Sequence, residues 1–438
     1  MSTKQTELEK KNHRAAGIDI GSEYIYISVE GEEVKEYSTF TKSLEEAISY
    51  LRSKEITSAA MEAMGVYWMV LYDMIEKSGI EAYLVDGRAV KNVPGRKSDV
   101  KDCQWIQQLH SYGLLRRCII PEEDMRELRA EIRLRESLVQ KASKEILHMQ
   151  KAMDQMNIKL HNVLEAIDGL SGMTVIKAIL KGEHNPEKLV ELCHKSVKIK
   201  KRDAIIESLR GNYKREYLRQ LQVAVDFYEY TQEQIRKSDK VIEVILKRMT
   251  IDKDEPSKTR SQKPVSKNHP KIEEIHSLAM KLTGNKDLSI LPGCTDWMSV
   301  QIISEVGIDM NKWKSVKHFT SYLGLAPNIH QSGKSNKKRF VKKSTRAGQM
   351  FRLAAYGITH SKKHALASFY HRVKSKKGSK IAIKATARKI AELFYMILTK
   401  GTEFVEQGII AYQKKLEEQR LKSLQKAAKK YGYNLVPV

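Results

Sequence analysis

Between Ala15 and Val85 the apolar pattern changes period in a set order, and that order leaves few folds open. Ala15-Ala-Gly-Ile-Asp-Ile20 reads as a buried strand, Gly21-Ser22 as a turn, and Tyr24 to Val29 as a second strand. Gly31-Glu-Glu turns the chain into a third strand from Val34 to Thr39. Ser43 is expected to cap a helix from Leu44 to Lys54. Ser58 to Glu62 is a short fourth strand, a helix follows near Tyr67 to Lys77, and Ala82 to Val85 is a fifth strand. Pro94-Gly95 marks a loop, after which Ser98 can cap a helix running to Tyr112.

The order βββαβαβα is that of a ribonuclease-H-like fold. In such a fold four acids stand out. Asp19 lies mid-strand between Ile18 and Ile20; if those two face the core, Asp19 faces the other way. A carboxylate placed there costs stability unless something binds it, typically a metal. Glu62 ends the fourth strand, the neighbour of the first in this order. Asp99 and Asp102 sit at i and i+3, on one face of the following helix. Four convergent acids would hold two divalent cations, and hard oxygen ligands suit Mg²⁺. Two such ions activate an attacking oxygen, steady the leaving one and neutralise phosphoryl charge. Each acid also has a plainer reading: Asp19 as a turn residue before Ile-Gly, Asp99 as a charge favouring a helix N-terminus. The set in this order favours the site. Asp73 and Asp86 are rival acids, Asp86 at the end of the fifth strand being the better.

Pro121 opens a long helix whose seam is Met125, Leu128, Ile132, Val139, Ala142, Ile146, Met149, Met153, Met156, Leu160 and Val163, with Arg135 the one polar position. A second long helix from about Tyr213 to Met249 carries Leu221, Val225, Tyr228, Ile235, Ile242, Leu246 and Met249, interrupted by Gln232 and Asp239. The pair predicts a long antiparallel coiled-coil arm, made within one chain or between copies. Asp168-Gly-Leu-Ser-Gly-Met173 breaks the helical run between them. Pro256, Pro264 and Pro270 lie among Lys, Ser, Asp and Asn in a stretch read as a flexible linker. The expected organisation is a disordered leader over 1–14, an α/β domain over 15–120, a helical domain over 121–249 and a linker over 250–275. A mainly helical basic domain over 285–400 and a helical tail over 401–438 complete it.

From Met310 to Ala391 the chain runs 82 residues without an Asp or Glu, while carrying 21 Lys and Arg. The overall composition would place about ten acids there. Most of the formal +25 charge therefore sits in one block, which calls for a polyanion. Within it, Gly324 to Ser335 is a loop-like segment centred on Ser332-Gly333. A serine hydroxyl attacks a phosphodiester if a neighbour takes its proton or cations stabilise the phosphorane. Lys334, Lys337, Lys338 and Arg339 supply such charge, and Lys342, Lys343 and Arg346 extend the nucleic-acid surface. The plainer reading is a turn that touches phosphate; His330 is either a base or another phosphate contact. Leu291-Pro-Gly-Cys-Thr-Asp-Trp-Met-Ser-Val300 resembles half of a helix-hairpin-helix, which offers backbone N–H groups to phosphate. Trp313, Phe319, Tyr322, Phe340 and Phe351 read mostly as core, with one or two free to stack on bases. Cys103, Cys118, Cys193 and Cys294 lack metal-ligand spacing and fit reduced thiols of a cytosolic protein. The first 14 residues lack the apolar stretch of a signal peptide, and no apolar run is long enough to span a bilayer, so no membrane is expected.

Gly17-Ile-Asp-Ile-Gly21, Met61-Glu-Ala-Met-Gly-Val-Tyr-Trp68 and Lys97-Ser-Asp-Val-Lys-Asp102 resemble the N-terminal motifs of DEDD-type insertion-sequence transposases (insertion-sequence family one-ten). Leu291-Pro-Gly-Cys294 and Tyr322-Leu-Gly-Leu-Ala-Pro327, with Ser332-Gly333, resemble that family's C-terminal transposase domain. The resemblance covers almost the whole chain. It implies a recombinase guided by a structured non-coding bridge RNA that pairs with donor and target DNA. Asp19, Glu62, Asp99 and Asp102 would form the Mg²⁺-binding tetrad of a RuvC-like domain, and Ser332 the nucleophile that links covalently to DNA. The family builds a composite site from the tetrad of one subunit and the serine of another, which implies a homo-oligomer, dimers pairing into a tetramer. A cytoplasmic, nucleoid-associated prokaryotic protein is implied. Cys103 stands where the family usually has Ala, and Met64 where Thr is common.

Other readings are a RuvC-like nuclease hydrolysing branched DNA with the tetrad alone, and a non-catalytic nucleic-acid-binding protein. An actin-like ATPase also begins with a strand such as Gly-Ile-Asp-Ile-Gly, but the second Gly-rich phosphate loop it needs does not occur in the sequence.

Overall fold

The computed structural model describes residues 9–87, 99–256, 267–327, 329–332, 335–338, 344–361 and 365–433. The chain forms two compact units, Met1–Ile120 and Pro121–Val438.

The first unit is built on a five-stranded sheet in the order β3-β2-β1-β4-β5. Its strands are β1 (Ala15–Ile20), β2 (Tyr24–Val29), β3 (Lys35–Ser38), β4 (Ser58–Glu62) and β5 (Glu81–Val85). β1, β2 and β3 form an antiparallel meander, whereas β4 and β5 run parallel to β1 and to each other. This mixed order is the one expected of a ribonuclease-H-like sheet. Alternation along each strand assigns the faces. Ile18, Ile20, Ile25, Ile27, Met61 and Leu84 join a large apolar cluster with Leu44 and Leu51 of α1 (Thr41–Ser53) and Leu71 and Ile75 of α2 (Trp68–Lys77). The opposite face is covered by α3 (Asp99–Ser111) over a much smaller cluster of Ala60, Val85, Ile106 and Leu115.

Two local expectations change. Ser43 does not cap α1; its Oγ accepts from Ser38 N at 3.0 Å and fastens the end of β3 to the helix, which starts at Thr41. The leader, expected to be disordered to Arg14, is tied down within the described residues. Lys11 N and Asn12 N both donate to Ser111 O, and Asn12 Nδ2 donates to His110 O at 2.7 Å. These bonds satisfy carbonyls that the C-terminal end of α3 leaves open. Pro94, Gly95 and Ser98 lie outside the described residues.

The second unit opens with α4 (Glu123–Gln155) and continues through α5 (Leu160–Val163), α6 (Leu170–Leu180), α7 (Pro186–Glu191) and α8 (Lys195–Ser208) to α9 (Arg215–Met249). The apolar seam of α4 is shorter than its spacing suggests. The helix stops at Gln155, Asn157 takes a φ of 58°, and Leu160 and Val163 fall in a separate turn. Residues at helical spacing thus continue past a break because they face a common core with Ile176, Leu189, Ile205 and Leu221. α4 and α9 pack against each other within the chain, and they run antiparallel. Arg135 pairs with Asp239, Ser238 donates to Glu131, and Arg248 reaches Asp124 and Glu127.

The two polar residues that interrupted the seams, Arg135 and Asp239, are therefore partners. Both are 3% exposed. Their remaining polar atoms are also met: Arg135 Nη2 donates to Asn268 O at 3.0 Å, and Lys271 N donates to Asp239 Oδ2 at 3.0 Å. The Arg135 guanidinium lies 5.2 Å from the Trp297 ring centroid, so the pair joins four segments.

The rest of the unit comprises α10 (Ile275–Leu282), α11 (Asp296–Val306), α12 (Val316–Tyr322), a hairpin of β6 (Ile329–Ser332) and β7 (Ser335–Lys338), α13 (Arg346–Gly357), α14 (Ala365–Lys377), α15 (Ser379–Lys400) and α16 (Thr402–Lys430). Short 3-10 turns cover Leu288–Ile290 and Met310–Lys312. Phe319, Phe351 and Phe394 are fully buried and contact one another edge-on or stacked, with Trp313 against Phe319. α11 is fixed to α4 by a bidentate Arg133–Glu305 pair at 2.8 Å and by Arg129, which donates to Ser304 O and Glu305 O. Among the described residues no helix is long and apolar enough to cross a membrane.

Asp239→Ala would leave Arg135 buried without a counter-ion, which costs about 3–5 kcal/mol. The double change Arg135→Met with Asp239→Leu should recover most of that loss. Denaturant unfolding of the full chain tests both, and an equal loss in the single and double variants would contradict this account.

Candidate active site

β1 and β4 are in parallel register with Ile18 opposite Met61, so Asp19 and Glu62 follow on adjacent strands and share a face. That face is the one covered by α3. The helix comes so close to β1 because Gly17 has no side chain. A Cβ there would collide with the backbone of Gln107 and Cys103. Gln107 Nε2 reaches back to Ala15 O at 3.4 Å and to Ser111 Oγ at 3.0 Å, and Ser58 Oγ lies 2.7 Å from His110 Nε2. The C-terminal half of α3 is anchored by these contacts. Its first turn, which carries Asp99 and Asp102, is thereby held over Asp19.

Electrostatics reports the convergence. Burial first, and then the negative charges of Asp99, Asp102 and Glu62, together push the Asp19 carboxyl up from its ordinary 3.8 to about 6. Three of the sequence-predicted acids thus act on the fourth. Asp73 and Asp86 are not among the groups that do so. Glu62 is buried, and a Cβ on Gly87 would strike its carboxylate. The donor set fits a hard divalent cation: four carboxylates, one with its charged form disfavoured until positive charge arrives. Among the described residues, no three of the four bring oxygens within 4.8 Å of one another.

Sequence reasoning missed three contributors. Gly17 sets the approach of α3. Tyr26, opposite Asp19 on β2, has its phenol pKa raised by a hydrogen bond to Glu36, by burial and by the charges of Glu36 and Asp99, which places it beside the acids. The alternation of Tyr24 and Tyr26 along β2 was the available signal. Cys103, read from the sequence only as a reduced thiol, lies beside the site. Burial and the Asp19 charge push its thiol up to about 12, so it stays protonated beneath the acids.

Ser332 is in the second unit. The segment expected to be a loop contains a hairpin in which Ser332 ends β6 and pairs with Ser335, with His330 opposite Lys337 and Ile329 opposite Lys338. Lys334, Arg339, Lys342, Lys343 and Phe340 lie outside the described residues. Arg346, at the start of α13, is exposed and pairs with Glu136 at 2.8 Å, so part of its charge is already answered. Trp313, Phe319 and Phe351 are core residues. The acid-poor block leaves its mark on Lys384, whose ammonium is pulled down by burial and by the positive charge of Arg352.

Residues 16–158 match a family model for DEDD transposases of the IS110 type, described as "Transposase", and residues 285–371 match "Transposase IS116/IS110/IS902 family". The two matches take in just over half of the chain and contain all four acids and Ser332. The chain belongs to the IS110 family of transposases. No curated protein matches the chain. The transposase is an enzyme that acts on DNA, its family uses divalent metal, and its first unit is the ribonuclease-H-like DEDD domain of that family. The acids sit in the first match and the serine in the second, so the transposase keeps its two kinds of candidate chemistry in different segments.

The raised pKa of Asp19 has a consequence for the transposase in chelator. The folded state holds that proton more tightly than the unfolded chain, so the stabilisation is full below about pH 3.8 and lost as pH rises through about 6. Asp19→Asn should therefore be more stable than the parent at pH 8 in chelator, with the gap closing towards pH 4; thermal melts across that range test it. Gly17→Ala should reduce DNA cleavage without changing any acid, because α3 must move away from β1. Unaltered cleavage would show that the close approach is unimportant.

Proposed function

We propose that this transposase breaks and rejoins DNA through Ser332, assisted by divalent metal held on Asp19, Glu62, Asp99 and Asp102. The observation that carries the reading is the convergence of three acids on Asp19, since a sheet gains nothing from four like charges unless a cation joins them. Mg²⁺ matches the all-oxygen donor set, and when bound it would supply charge neutralisation at the reacting phosphate. The chain's own part is to gather the carboxylates and to present the serine.

In the transesterification, Ser332 Oγ forms a new P–O bond as the P–O bond to one DNA strand breaks. The serine proton passes to a base, and the departing strand oxygen takes up a proton. Reversal of the same steps by another strand end restores the backbone and frees the serine. The number of phosphoester bonds is conserved, so no nucleotide cofactor is needed. The residues over 15–120 serve as the metal-holding module and those over 285–400 as the serine module. The α4/α9 pair serves as a coiled-coil arm in a homo-oligomer, where tetrad and serine come from different subunits. Lys334, Lys337, Lys338, Arg339, Lys342, Lys343 and Arg346 line the nucleic-acid path. A structured guide RNA pairs with donor and target DNA to choose the sites, and the protein works in the cytoplasm on the nucleoid.

With the element's end DNA, a target and the RNA encoded beside the gene, the parent chain should leave a protein–DNA adduct that survives denaturing electrophoresis. Ser332→Ala should abolish the adduct and lower strand exchange by more than about 10³-fold. Asp19→Asn should keep DNA binding and lose cleavage. Cleavage by Ser332→Ala at the parental rate would establish the hydrolytic nuclease instead, and exchange without RNA would remove the guide.

A further inference from the structure

A second group of metal-ligand side chains lies in the other unit, away from the sequence of the tetrad. His276 is on α10, Asp287 precedes the 3-10 turn Leu288–Ile290, and Asp296 is the first residue of α11. Their ligand atoms all lie within 4.8 Å of one another. His276 Nδ1 and Asp296 Oδ1 are 2.9 Å apart, and the two residues are 6% and 2% exposed. Asp296 Oδ2 is buried and has no hydrogen-bond partner. The cap of α11 does not relieve it, because Thr295 Oγ1 takes Met298 N at 3.1 Å. A buried, unpartnered carboxylate oxygen beside an imidazole and a second carboxylate is expensive unless a cation completes the group.

We propose that His276, Asp287 and Asp296 bind one divalent first-row transition ion, Zn²⁺ as the best-matched probe, with water in the remaining position. The imidazole argues against Mg²⁺, which takes oxygen ligands, whereas Zn²⁺ accepts nitrogen and carboxylate together. As the ion enters it replaces the hydrogen bond between His276 Nδ1 and Asp296 Oδ1, and the coordinating imidazole carries its proton on Nε2. Asp287 is half-buried and marks the way in. Its Oδ1 accepts from Ser289 N at 2.8 Å, and its own N donates to Thr402 Oγ1 at 3.0 Å. An ion there fastens α10, α11 and the start of α16 together just ahead of the acid-free block. Cys294 is close in sequence, but its thiol is not among the ligand atoms that lie within 4.8 Å of one another, so it is not counted as a ligand.

The test uses the full chain carrying Asp19→Asn and Asp102→Asn, so that the tetrad does not compete. After equilibrium dialysis against Zn²⁺ it should retain one ion per chain, and Co²⁺ in its place should give visible absorption typical of imidazole ligation. Adding Asp296→Asn, which keeps the side-chain shape, should weaken Zn²⁺ binding by more than about 100-fold, beyond the loss expected from outer-shell changes. Asp287→Asn, at a less buried position, serves if Asp296→Asn does not fold by circular dichroism. Cys294→Ala should bind as before. Absence of a retained ion, binding undiminished in both aspartate variants, or binding lost with Cys294→Ala would each overturn the proposal.

Discussion

Arg135 and Asp239 leave water together, and much of the second unit is arranged around that event. Two buried ions far apart in sequence are tolerable only if each finds the other and every remaining polar atom is met. Here the guanidinium also meets Asn268 O and the Trp297 ring, while the carboxylate takes Lys271 N. The requirement fixes the register of α4 against α9, since a shift by one helical turn would strand both charges in an apolar seam. It also pins the residues after the Pro-rich stretch and brings α11 to the helix pair. Arg133 and Glu305 then repeat the connection nearer the surface. What the helices contribute by apolar burial they would contribute in several registers; the ion pair selects one.

The first unit uses the opposite device. There the charges are alike, and the fold holds them together by backbone geometry. Gly17 lets α3 approach, Gln107 and His110 secure its far half, and the first turn is left to carry Asp99 and Asp102. The apolar cluster on that face is small, as suits a face given over partly to carboxylates. Rigidity beneath the acids comes from the larger cluster on the other side of the sheet.

The order of strands and helices was readable because period-two runs and turn residues alternate cleanly from Ala15 to Val85. Asp19 was readable because a charge between Ile18 and Ile20 conflicts with its neighbours. Gly17 was not, since its importance lies in the backbone of Gln107 and Cys103, some 90 positions away. Arg135 and Asp239 were visible as interruptions but not as partners, because periodicity carries no information about which seam meets which. The α4 seam overran its helix because Met156, Leu160 and Val163 keep the spacing after Asn157 has ended the hydrogen-bond ladder. The segment around Ser332 read as a loop because Gly, Ser and Lys hide a short strand pairing that only the partner strand reveals.

Because α4 leaves and α9 returns at one place, where Arg248 meets Asp124 and Glu127, the helices beyond Arg135 and Asp239 form a side branch, tied back to the later chain where Lys267 reaches Asp168. The branch has a core of its own, from Ala142 through Ile205 to Ile235. Lengthening the branch would give up the Lys267–Asp168 pair and little else at the base. Whole heptads added to or removed from both helices would move the tip outward or inward while the base kept its contacts. A family built on this plan can adjust its reach without redesigning the parts that perform chemistry.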